Sequence, residues 1–557
     1  MKIRNKFLVL LFVLGVAGLN SCTKELVKMN ENPNGADPES ANPNLVLTTV
    51  LTESFKSFVN LGYQDIAGVM QHTQKDGWGG GHNSYDWGGS NVWSGYYDIL
   101  RNNKFVYDKA VASGNTLQQG ITLVMKSLMY GLITDLWGDA PYSNALKANE
   151  GGIENKFPVY DTQQKIYEGI LADLEQANTI LSENITGEVG NADVIFNGNT
   201  TKWRKFANSL SLRYYMRLSE KLPDVAKEGI EKIVSDPAKY PIILSTDDDA
   251  AMSYPGNNNG DSWPANATYD SDSTNYRRIK MANTFVTELL EFKDPRIAAF
   301  ANKVQIFLHV DENYPPGTDK VEDTVMADGE VRLVRKLHPG ALPSTVNVSD
   351  LNQNPDYVGL PLNLSVPYAY NLSTDQTQSS RNPHVSWVNT KFANAKSGIK
   401  ARILSAAEVH FILAEASAVY GWNAGDAEDH YKKAIQSSFT AWDVGSADDY
   451  LAEPDVVFDG TQEQIITQKW IASWSVAAEA WFDWRRTGYP VLKGASQQGV
   501  LPVRFYYPLE ERNLNTSNVN AAIERLELSS YNDPYLSNVK NGIWSKPWII
   551  QGTGKPW

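Results

Sequence analysis

The sequence has 557 residues, 64 acidic against 50 basic side chains, a formal net charge of -14 and a single cysteine. Such a charge repels phosphate backbones and anionic lipid headgroups, which argues against nucleic-acid binding and against electrostatic docking on a membrane. One thiol excludes disulfides within the chain and clustered thiolate metal sites, so a chain long enough for several domains or one large helical assembly is held together by burial alone.

Residues 1–22 read as a lipoprotein signal peptide. Lys2, Arg4 and Lys6 form a cationic start, residues 7–19 an apolar core too short to be a permanent membrane span, and Leu19-Asn20-Ser21-Cys22 a lipobox with a small residue before the cysteine. Cleavage before Cys22 and lipidation of its thiol are expected. Residues 23–44 are rich in Asn, Pro and Gly and read as a flexible tether. Residues 45–557 are expected to form a single body.

Helical spacing runs from residue 45 to about 74, and resumes over about 91–111 after a glycine-rich interruption. Ile121, Val124, Met125, Leu128, Leu132 and Leu136 make the clearest stripe, stopped at Gly138 with Pro141 beyond. Two further helices carry Ile166, Ile170, Leu174, Ala177 and Leu181, then Trp203, Phe206, Leu210 and Tyr214. The middle, about 236–398, is rich in Pro, Asn, Asp, Ser and Gly. It reads as a loop-dominated insertion with short apolar runs at 242–244 and 331–334 and one helix near 281–292. Residues 403–420 are apolar nearly all round, and their partner over 427–439 presents Ala427, Tyr431 and Ala434, the large and small alternation by which tetratricopeptide hairpins nest. A last helical block spans about 462–486. The expected fold is mainly α, a tetratricopeptide-like helix-hairpin scaffold with an embedded loop-rich lobe containing short strands.

With 16 Trp and 27 Tyr, the chain has more rings than a core usually needs, so some are expected to face a ligand. The strongest candidate surface is residues 77–93, where Trp78, Asn83, Tyr85, Trp87 and Trp93 stand among glycines: indole faces suit the C–H patches of sugar rings, and Asn, Asp and Ser suit their hydroxyls. Packing of these rings onto the helices below competes with that reading. A second candidate is Trp263, Tyr269 and Tyr276 in the loop-rich lobe. Asp270 to Asn275 hints at calcium but lacks the glycine and glutamate of an EF-hand loop, so no metal and no cofactor are expected. Arg485, Arg486 and Asp483 read as a structural salt-bridge cluster. Signatures of zinc peptidases, nucleophile elbows and phosphate loops are missing, although a pair of glycosidase carboxylates could hide among 64 acids.

Several segments together resemble the SusD/RagB family of outer-membrane nutrient-binding lipoproteins: the lipobox at Cys22 with Asn32-Pro33-Asn34; Asp135-Leu136-Trp137-Gly138-Asp139-Ala140-Pro141-Tyr142; Phe157-Pro158-Val159-Tyr160; Asp294-Pro295-Arg296; Leu413-Ala414-Glu415-Ala416; Phe482-Asp483-Trp484-Arg485-Arg486-Thr487-Gly488; and Tyr507-Pro508-Leu509-Glu510-Glu511. The block before Asp483, with Gln468-Lys469-Trp470 and Ala478-Glu479-Ala480, departs from the family pattern and marks a divergent branch. The resemblance implies a lipid-anchored protein on the outer membrane, facing the exterior. It would capture oligosaccharide without covalent chemistry and deliver it to a TonB-dependent, SusC-like transporter over which it acts as a hinged lid. It also implies that ligand aromatics lie in a loop early in the chain. A peptide ligand of the RagB kind and a lipid-anchored glycoside hydrolase are the alternatives.

Overall fold

The computed structural model describes residues 41–257, 261, 263, 274–374, 381–392, 399–494, 499–531 and 539–555. Cys22, the tether through residue 40, and Tyr269 lie outside the described residues.

Among the described residues, ten helices of 11 or more residues build the scaffold, and side-chain caps set where most of them start. They are α1 (Pro43–Tyr63), α2 (Ser94–Ser113), α3 (Thr116–Trp137), α4 (Gln163–Ser182), α5 (Thr200–Arg217), α6 (Pro223–Ser235), then, after α7 (Asn283–Glu291) in the lobe, α8 (Ala406–Ala418), α9 (Ala427–Trp442), α10 (Gln462–Ala472) and α11 (Ala477–Thr487). Asn42, Asn115, Thr162, Asn199, Ser405, Asp426 and Thr461 each accept a backbone N–H of the first turn, which satisfies donors that the helix itself leaves open. Left-handed Gly114 and Gly488 end α2 and α11. Successive helices pack in pairs, α1 on α2, α3 on α4, α5 on α6 and α8 on α9. This is the tetratricopeptide-like scaffold that the large and small alternation indicates. Helix α3 also touches α5, and Gly131 permits it: a Cβ there would lie 1.9 Å from the Tyr214 hydroxyl oxygen.

The strands belong mostly to the embedded lobe: β1 (Thr73–Lys75), β2 (Ala250–Ser253), β3 (Ile279–Met281), β4 (Ile306–Val310), β5 (Asp319–Val325), β6 (Val331–Leu337) and β7 (Lys400–Leu404). Within the lobe β4 runs parallel to β6, and β6 pairs antiparallel with β5. Two antiparallel ladders, β1 with β3 and β2 with β7, stitch its ends to the scaffold. Among the described residues the main hydrophobic core runs from Leu47 to Ile550 and takes in Trp137, Trp203, Trp263, Trp470 and Trp481, all fully buried, with smaller cores between α8 and α9 and inside the lobe.

Local differences from the sequence reading have physical causes. Helical spacing fails before residue 74 because Thr73–Lys75 finds a strand partner 206 positions away, at Ile279–Met281. Ile403 and Leu404 belong to β7, and the Ser405 cap starts α8 after them. The block over 462–486 is two helices, broken where Ser475 takes φ +77. Helix α6 stands where no helix was expected; Pro223 opens it and Ala226, Ile230 and Ile233 face the core.

Candidate functional site

The ladder of β1 with β3 is the base of the glycine-rich loop. Thr73, Gln74 and Lys75 pair with Met281, Lys280 and Ile279, and the Asp76 N–H extends the ladder by donating to the Arg278 carbonyl at 3.1 Å. The chain then turns through Gly77 to Gly81 and is clamped back onto β1 by Asn83, whose Nδ2 donates to Lys75 O at 2.7 Å and whose Oδ1 accepts Lys75 N–H at 2.8 Å. Beneath the clamp His82 is buried, with Nε2 3.0 Å from Thr73 Oγ1. The close fit requires Gly68, since a Cβ there would come within 1.9 Å of the His82 carbonyl oxygen. The loop is therefore seated at both ends, with its tip between them.

Trp78 is that tip. Its backbone takes φ +48, a left-handed conformation that costs a bulky residue energy, and its side chain is 63% exposed. The Arg278 guanidinium lies 3.8 Å from the centre of the indole ring. The ring lines a cavity of about 690 Å³ between this loop and residues 361–368, in the range that holds a small ligand. Gln74, Asn83, Ser84, Asn363, Ser365 and Tyr368 bring polar groups to its wall. Asp76 is the one carboxylate among the lining residues. It is buried against Lys280 at 3.3 Å, where burial pushes its pKa up and the lysine opposes it; burial likewise takes Lys280 down to about 8.

The other described aromatic residues expected to meet a ligand, Tyr85, Trp87, Trp93, Trp263 and Tyr276, are buried. Trp87 packs edge-on to Phe505 at 4.8 Å between ring centres and donates Nε1–H to Gly81 O at 3.0 Å. Trp93 is 5% exposed and wedged among Tyr97, Trp137, Tyr160 and Tyr507. Tyr85 is buried beside Trp87. Trp263 is fully buried between Tyr254 and Phe392, and Tyr276 donates its hydroxyl to Asn389 O. Trp93 also borders a second hollow, about 760 Å³, along α2 and residues 508–511. Of the eight expected ligand residues, the cavity thus brings Trp78 and Asn83 together, and it adds Asn363, Ser365 and Tyr368. No sequence signal links those three to residue 78, apart from the aromatic excess of the lobe to which Tyr368 belongs. Arg485, Arg486 and Asp483 are buried in an ion-pair network, in keeping with a structural role.

The buried histidine gives the loop a pH dependence. Burial, with Lys75 adding to it, holds His82 at about 3, against an ordinary 6.5. As pH falls below 6.5 the unfolded chain takes up this proton and the folded chain does not. The His82 contribution to stability is thus present above 6.5 and is lost as pH falls towards 3. Replacing His82 by Gln is expected to flatten the acid limb of the stability curve by about 1.4 kcal/mol per pH unit between about pH 6 and pH 4. Urea titrations giving the same slope for both proteins would contradict this.

The model of a family described as starch-binding and associating with the outer membrane matches residues 36–314 and 323–508. The chain belongs to this SusD-like family. Its solved structural relatives include a SusD homologue from Bacteroides uniformis ATCC 8492, 23% identical over 91% of this chain and 99% of that one, with a TM-score of 0.67. A chitin-binding protein is 25% identical over 92% of this chain and 100% of its own, with a TM-score of 0.64. A chitin-binding SusD homologue from Flavobacterium johnsoniae is 19% identical over 91% and 99%, with a TM-score of 0.65. No curated protein matches the sequence. The family match takes in the helix hairpins, the loop that carries Trp78 and most of the lobe.

Proposed function

We propose that this SusD-like protein captures an oligosaccharide at the outer membrane by stacking a sugar ring on Trp78, and delivers it uncleaved to a TonB-dependent, SusC-like transporter. The observation that carries the reading is an indole held 63% exposed, in a costly backbone conformation, at the edge of a polar cavity of ligand size. Aromatic faces bind the C–H patches of sugars, and Gln74, Ser84, Asn363, Ser365 and Tyr368, with the remaining donor and acceptor of Asn83, suit their hydroxyls. Among the lining residues Asp76 is alone and ion-paired, whereas glycoside hydrolysis needs two carboxylates across the scissile bond. Because two structural relatives bind chitin, N-acetylglucosamine oligomers are the first ligands to try.

Calorimetric titration with these oligomers and with starch fragments tests the reading. Trp78→Ala is expected to weaken binding roughly tenfold, the loss of about 1–3 kcal/mol that an interfacial ring supplies, with little change in melting temperature. Equal affinity for wild type and variant would sink it, and shortened products after long incubation would favour a hydrolase. A single cysteine lipidated through a thioether is the attachment proposed for the membrane, so Cys22→Ala is expected to move the protein to the soluble envelope fraction. Retention of that variant in the outer membrane of a strain without the transporter would contradict it. Purification of the wild type from detergent-solubilised outer membrane is expected to carry a TonB-dependent transporter with it; failure to recover one would count against the partnership.

A further inference from the structure

We propose that Arg278 is the positioning residue of the Trp78 shelf: its guanidinium backs one face of the indole, holds the ring in place, and restricts the ligand to stacking on the other. The inference rests on the reading of this cavity as a sugar site.

The geometry follows from the ladder. The Asp76 N–H bonded to the Arg278 carbonyl fixes the register between the loop base and β3, and places Arg278 two residues from Trp78 across that register. Neighbouring Arg277 turns the other way, with its guanidinium 4.7 Å from the centre of the Trp387 ring and Nη2 donating to Gln305 Oε1 at 2.6 Å. Arg278 is 6% exposed while the ring it covers is 63% exposed, so a fixed, buried cation supports a mobile type of side chain that would otherwise sample several rotamers in water. Trp78 lines the cavity, and Arg278 is not among its lining residues, so the ring face that the guanidinium covers is the one closed to a ligand in this proposal. A planar guanidinium can lie flat on an indole; an ammonium at the same place attracts the ring without stacking on it.

A ligand-independent measurement separates this from the sugar reading. The protein is labelled with 5-fluorotryptophan, and the Trp78 fluorine resonance is assigned by its loss in Trp78→Phe. In Arg278→Ala that resonance is expected to move towards the position of the free amino acid, to narrow, and to broaden more strongly with a soluble nitroxide, while the other tryptophan resonances and the melting temperature stay near wild type. Arg278→Lys keeps the buried charge and guards against a folding failure of the alanine variant; it is expected to shift the resonance in the same direction by a smaller amount. A wild-type Trp78 resonance in both variants overturns the proposal, as does movement of all tryptophan resonances together. In titrations with N-acetylglucosamine hexamer, Arg278→Ala is expected to lose threefold to tenfold in affinity. If the wild type does not bind any oligosaccharide while the fluorine shift still occurs, the positioning role stands and the sugar reading falls.

Discussion

Glu415→Gln is expected to destabilise the protein by about 3–5 kcal/mol, although it removes one charge and almost no volume. Glu415 on α8 is fully buried and grips Arg486 of α11 with both oxygens, at 2.6 and 2.7 Å. Arg486 also reaches Asp483 at 2.9 Å, and Asp483 reaches Lys469 of α10 at 2.7 Å. A companion chain of pairs runs from Glu408 through Arg213, Glu479 and Arg217 to Asp135 and Arg485. Five cations meet five anions, tying α3, α5, α8, α10 and α11 together from separate hairpins. Burying one unmatched guanidinium is what makes the single change costly. The double variant Glu415→Leu with Arg486→Met removes a matched pair and leaves Asp483 with Lys469. It is therefore expected to recover most of the loss in urea denaturation. Additive losses would mean that the residues act by packing and not as an ion pair.

Gly68→Ala is expected to cost about 1–3 kcal/mol or more and to weaken ligand binding at the same time. The added methyl carbon would lie 1.9 Å from the His82 carbonyl oxygen and 2.7 Å from its carbonyl carbon, both backbone atoms that cannot rotate away. The turn Gly80–Asn83 must lift, and with it the Asn83 clamp that holds the loop on β1. Trp78→Ala, in contrast, is expected to lower affinity alone. Finding stability lowered and affinity unchanged in Gly68→Ala, by thermal melts and calorimetry on one preparation, would uncouple the loop seat from the cavity.

The helical scaffold was legible where sequence signals are local. The stripe of α3 and its stop at Gly138 can be read from residue spacing, and so can the nesting pattern of α9 on α8. Helix α6 carried a readable signal as well, with proline at its start and apolar residues three and four apart. Strand β1 did not: Thr73, Gln74 and Lys75 show no apolar alternation, and only a distant partner makes them a strand. The candidate site was half legible for the same reason. Composition marks a loop with Trp78, Trp87 and Trp93 but cannot separate them. Phe505 and Trp481 claim Trp87, and Tyr507 and Trp137 claim Trp93, through contacts hundreds of residues away in sequence for three of the four. The far wall of the cavity, with Asn363, Ser365 and Tyr368, arrives by the same long-range folding.

Whether a sugar ring lies on Trp78 is decided by a crystal structure of the wild-type protein soaked with N-acetylglucosamine hexamer. A pyranose ring is expected in van der Waals contact with the indole face opposite Arg278, with its hydroxyls turned to Asn83, Asn363 and Tyr368. Ligand density in the hollow along α2 beside Phe105 and Leu509, with the Trp78 cavity empty, would contradict it.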